Sequence, residues 1–196
     1  MDDKISVDQT QLINDPRALR ALAHPVRLAL IERLTVHGPA TATQVAPLVG
    51  ASPSLCSFHL RQLSKYGFVE EAVGGVGRER PWRITHTGLL FDPDSIDPGV
   101  RRAGVELNKV LRQRQIDRYQ RWVASRDSWP LPWRQASVDS EFAFWMTSDE
   151  LESLGEELIE RLLPLMKERL SDPAARPPGA VPVEMLILAY PVDDNK

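Results

Sequence analysis

Apolar and polar residues along the chain first set a helical rhythm. After a polar opening dozen, with a short strand expected around residues 11–13, Pro16 follows Asn14 and Asp15, either of which suits an N-cap, and the helix continues through RALRALAH. Pro25 starts a second helix, PVRLALIERLTVHG, with Val26, Leu30, Ile31 and Leu34 on one face and Gly38 at its end. A short helix, TQVAPLVG, capped by Thr41 or Thr43, places Val45, Leu48 and Val49 at i, i+3 and i+4 and stops at Gly50. Pro47 falls near its first turn, where proline is tolerated. SPSLCSFHLRQLSKYG (52–67) then begins with Ser52 before Pro53 and closes on Gly67. Two helices on a tight turn predict a helix-turn-helix. The period then shifts to two: FVEEAV, the turn GGVG and RERPWRIT predict a β-hairpin with Arg78 and Arg80 at its tip. A hairpin directly after the second helix predicts a winged helix-turn-helix.

The acidic, proline-bearing FDPDSIDPG (91–99) is unsuited to regular structure and marks the expected boundary between an N-terminal domain, 1–90, and a C-terminal region, 98–196. The latter predicts one long helix over 100–125, a rigid loop at WPLPW and a strand at EFAFWMT (141–147). A helix capped by Thr147 and Glu150 follows, with Leu151, Leu154, Leu158 and Leu162 facing inward and Pro164 kinking or ending it. VPVEMLILAY (181–190), apolar on both faces, predicts a buried strand. The expected fold class is α+β: a winged helix-turn-helix followed by a small α+β region of a long helix, two strands and a kinked helix.

The 52–67 helix has an unusual polar face. At 100° per residue from Cys56, Leu60 and Leu63 fall at about 40° and −20°, an apolar stripe. Ser54, Phe58, Arg61 and Lys65 lie opposite, between about 140° and 200°. In a major groove, Arg61 can pair with guanine, Ser54 and Ser57 with base edges or phosphate, Phe58 with a thymine methyl and Lys65 with phosphate. The plain alternative is a solvated helix face with one stray aromatic.

Charge bears on that choice. The chain of 196 residues has a net charge of −3. Residues 1–90 carry ten Lys/Arg against eight Asp/Glu, residues 100–126 eight against two, and residues 139–196 five against thirteen. Binding follows the local patch, so the overall sign does not exclude nucleic acid. The polar N-terminus is unlike a signal peptide, no run of eighteen apolar residues occurs, and one cysteine allows no internal disulfide. A cytoplasmic protein with no membrane partner is expected.

LRALAHPVRLALIERL, the turn GAS, SFHLRQLSKYGFVEE and the wing ending WRITHTG together resemble the ArsR-type winged-helix transcriptional regulators over roughly residues 15–90. The resemblance implies a homodimeric repressor of double-stranded DNA that an effector releases. By position it implies DNA contacts from Ser52, Ser54, Ser57, Phe58, Arg61 and Lys65 on the recognition helix and from Arg78 and Arg80 on the wing. The family's metal sensors use paired cysteines beside the helix-turn-helix, or carboxylate and histidine ligands on a C-terminal helix. Here Cys56 is alone and residues 98–127 contain no histidine, so no metal or other cofactor is expected.

Cys56 and His59 supply two of the four ligands a structural zinc needs, and Cys56 centres on the apolar stripe, so both read as structural. GGVG lacks the setting of a phosphate loop, and no nucleophile–base motif points to an enzyme. Tyr119, Trp122, Trp129, Trp133 and Trp145 either line a pocket for a small organic effector or fill a core. Val100, Ala103, Leu107, Val110 and Leu111 form a stripe on the long helix suited to a two-fold mate. The basic long helix can meet the acidic start of the 149–160 helix or extend a DNA footprint. The rival class is a winged helix serving as a protein–protein interaction module without a DNA target.

Overall fold

Local capping starts the N-terminal helices where the sequence places them. The structure is a computed structural model that describes residues 10–73, 80–86, 88–171 and 173–193. Asp15 accepts from the N–H of Arg17 at 2.8 Å and starts α1 (Pro16–Leu22). His24 Nδ1 accepts from the N–H of Val26 at 3.2 Å and starts α2 (Pro25–His37). Thr41 and Gln44 close a reciprocal capping box on α3 (Ala42–Val49), so Thr41 rather than Thr43 is the cap. Gly50 ends α3 in the left-handed region, φ 66°, where a Cβ would be strained. Ser52 accepts from the N–H of Leu55 at 3.2 Å and starts α4 (Pro53–Lys65).

These helices bury one core. Leu19, Leu22, Leu30, Leu34, Val45, Leu60 and Leu63 are fully enclosed, with Cys56 among them. The wing follows: β2 (Val69–Glu71) pairs antiparallel with β3 (Trp82–Ile84), Val69 opposite Ile84. The backbone of buried Trp82 also exchanges hydrogen bonds with Ala40, at 2.8 and 3.0 Å, tying the wing to the turn before α3. The hairpin tip, including Arg78, lies outside the described residues. β1 (Thr10–Leu12) is the expected N-terminal strand, and its partner is β4 (Gly88–Leu90), in parallel.

α5 (Pro98–Ser125) is the expected long helix, differently employed. Val100, Ala103 and Leu107 are buried in the same core as α1 to α4, and Val110 and Leu111 pack against it. The stripe proposed for a two-fold mate is therefore already covered by the chain itself, because the apolar edges of α1 and α2 need closing. Two ion pairs lock this arrangement: Glu32 of α2 meets Arg114 at 2.6 Å and Arg118 at 2.8 Å. Part of the basic charge of α5 is thus spent inside the fold. The chain divides into compact units at Met1–Arg118 and Tyr119–Lys196, with the division inside α5.

In the second unit a 3₁₀ turn (Arg126–Ser128) and α6 (Leu131–Ala136) replace the rigid loop expected at WPLPW. α7 (Ser148–Ser171) opens with the Thr147–Glu150 capping box and continues past Pro164, so the helix does not end early there. The strands expected at 141–147 and 181–190 are absent: both segments carry no regular structure and are largely exposed. Their β-type side chains have no strand within the described residues to pair with, and the leucines of α7 face no core of their own. Among the described residues, no helix is long and apolar enough to cross a membrane.

Candidate nucleic-acid interface

α4 presents the expected polar face to solvent. Ser52, Ser54, Phe58, Arg61 and Lys65 are exposed and Ser57 is half-buried, while Cys56, His59, Leu60 and Leu63 turn into the core. The i, i+4 spacing lets Arg61 Nη1 donate to Ser57 Oγ at 2.7 Å, which holds the guanidinium in one orientation on an otherwise open face. The hydroxyls of Ser52 and Ser54 lie 3.1 Å apart at the helix start. Phe58 is 49% exposed, and its ring meets that of His59 edge-on with centroids 5.2 Å apart. The ammonium of Lys65 sits 5.9 Å from the centre of the Tyr66 ring.

Residues outside α4 extend this face. α1 packs beside α4, and a cleft of about 280 Å³ opens there, lined by Arg17, Arg20, Ala21, Arg27, Gln62 and Tyr66. Among the described residues, three guanidinium side chains border it and no carboxylate does. Arg27 is fixed at its inner end: Nε donates to the carbonyl of Ala21, and Nη2 donates to that of Arg20 at 3.3 Å. It pairs with neither Glu32, which α5 holds, nor Glu70, whose carboxylate takes Arg83 at 2.6 Å. Burial lowers the pKa of Arg27 somewhat, with Tyr66 opposing. Arg17 and Arg20 are exposed at the rim. Their i, i+3 spacing was visible in the sequence, but nothing there set α1 against α4.

On the wing, Arg80 is exposed, and Arg78 lies outside the described residues. Cys56 is fully buried, and that burial pushes its thiol pKa up, which suits a packing residue rather than a thiolate ligand. His59 is buried against His24, ring centroids 4.5 Å apart, and its Nδ1 has no hydrogen-bond partner among the described residues.

The aromatic group lies in the second unit. Tyr119 stacks on Trp122 at 6.3 Å, and the Arg126 guanidinium lies 5.6 Å from the Trp122 ring. Tyr119 donates its hydroxyl to Asp139, a bond that holds the proton and raises the phenol pKa. Trp122, Trp129 and Trp133 are half-buried, so none plugs a core, and Trp145 stands 93% exposed.

Residues 22–72 match a family described as helix-turn-helix domain, a span from the end of α1 to just past β2. Among solved structures the chain is similar to the homodimeric winged helix-turn-helix DNA-binding domain (fragment 1–100) of a possible ArsR-family transcriptional regulator from Mycobacterium bovis. The identity is 22%, over 58% of this chain and 89% of that one, with a TM-score of 0.32. No curated protein matches the chain in sequence.

Proposed function

We propose that this protein is a sequence-specific DNA-binding transcription regulator that acts as a homodimeric repressor. The observation that carries the reading is the outward face of α4, where a guanidinium held by Ser57, a half-exposed phenyl ring and a lysine share one helix side. Phe58 and Arg61 suit base edges, while Lys65, Arg17, Arg20 and Arg80 suit phosphates. A single recognition helix covers about one half-site, so useful specificity needs two copies on half-sites about 34–36 Å apart. A small aromatic or apolar effector near Tyr119 and Trp122 belongs to the same proposal. It would release DNA only by favouring one spacing of the two recognition helices over another.

Selection of duplexes from a random pool tests the reading. A two-fold-related motif is expected, and its loss in Phe58→Ala together with Arg61→Ala would tie it to α4. A pool returned without any enriched motif would favour the rival, a winged helix that docks on protein. Tryptophan fluorescence quenched by a ligand that also releases the duplex would establish the effector.

A further inference from the structure

The second unit leaves an apolar surface open on three stretches at once. On α7, Leu154, Leu158, Ile159, Leu165 and Met166 are exposed along one side. Phe142, Phe144 and Trp145 are exposed before it, and Met185, Leu186 and Ile187 after it. Exposed apolar side chains repeated along one side of α7 and on both flanking segments suit burial against a partner. The segments at 137–147 and 180–193 add backbone outside any sheet, able to pair with another strand.

The charge pattern of α7 says which partner. Its first half carries Asp149, Glu150, Glu152, Glu156, Glu157 and Glu160 and no base. From residue 161 onward come Arg161, Lys167 and Arg169 against Glu168. A helix acidic at one end and basic at the other matches itself when turned end for end, and a two-fold axis creates that arrangement. Gly155 lies on the apolar side with nothing within 4 Å of where a Cβ would stand, so a second helix backbone can approach closely there. An anionic membrane surface is a poor occupant, because the carboxylate-rich half would be repelled.

We infer that the second unit is a docking surface for a second copy of this chain, with the two α7 helices antiparallel about the two-fold axis and the flanking irregular segments covered in the same contact. The inference deepens the dimer of the proposed function and relocates it from the stripe of α5 to α7.

Two charge variants of the full chain test it. Glu152→Lys with Glu156→Lys, Glu157→Lys and Glu160→Lys makes α7 basic at both ends, and Lys167→Glu with Arg169→Glu makes it acidic at both ends. The wild type should have the light-scattering mass of two 22.1 kDa chains. Each variant alone should dissociate at least tenfold more readily, and an equimolar mixture should recover a two-chain species containing one of each. Recovery on mixing also proves that both variants are folded. Variants that each stay dimeric, a mixture that stays monomeric, or a monomeric wild type would overturn the inference. Duplex binding is measured separately on the wild type: a dimer that ignores DNA would defeat the regulator reading and leave this one standing.

Discussion

Arg61 and Lys65 sit one helical turn apart on α4, yet their environments give them different work. Arg61 is held by Ser57, and a fixed guanidinium can distinguish guanine from other bases. Lys65 is a mobile point charge beside Tyr66. Arg61→Ala should weaken specific binding by about 1–3 kcal/mol and relax base preference at one position per half-site, whereas Lys65→Ala should weaken all sequences alike and lower the salt slope by about 1. Repeating the duplex selection with Arg61→Ala checks the orientation of the helix, and an unchanged motif would mean it is wrong. A second residue-scale effect concerns the buried imidazoles. Burial first, then the charge of Arg27, holds His24 below the ordinary value of 6.5; at His59 burial is followed by His24 and Arg27. The unfolded chain takes up these protons more readily than the folded one, so stability is full above pH 6.5 and declines as pH falls below it. Thermal melts should show the loss as pH falls below 6.5, and His59→Leu should flatten it. A melting temperature indifferent to pH in that window for the wild type would contradict this.

At the scale of elements, α5 is a wall of the N-terminal core. Leu107 is 3% exposed, and a Cβ added at Gly104 would stand 2.7 Å from the ring of Phe91. Leu107→Ala should therefore cost about 2–5 kcal/mol of stability. Gly104→Ala should lower the melting temperature although alanine favours a helix by about 1 kcal/mol, because the ring must move. Denaturation curves decide both, and neither change should alter the oligomeric state. The helices were legible in the sequence wherever the signal was local: Asp15, Ser52 and Gly50 act on neighbouring backbone, and Cys56, Leu60 and Leu63 repeat with the helix period. The partner of β1 was not legible, since a three-residue parallel pairing across the domain leaves no local mark. The stripe of α5 announced that Leu107 would be covered but not by what. The apolar segments at 141–147 and 181–190 misled for a related reason: composition says that such residues seek burial, and the chain alone does not supply it. Half of the candidate site was legible on α4, while Arg17 and Arg20 gained meaning only when α1 was seen beside Gln62 and Tyr66.

For the whole molecule, the central claim is that the face of α4 and its arginine-lined cleft engage the backbone and bases of duplex DNA. Such an encounter releases counterions, so affinity must fall with salt by about 0.9 in log K per log salt for each phosphate neutralised. The most direct test is the affinity of the full chain for its selected duplex across a salt series, beside the Arg17→Ala/Arg20→Ala variant. A steep negative slope is expected for the wild type, shallower by about 2 in the variant while the preferred motif persists. A wild-type affinity that does not change with salt would contradict the claim.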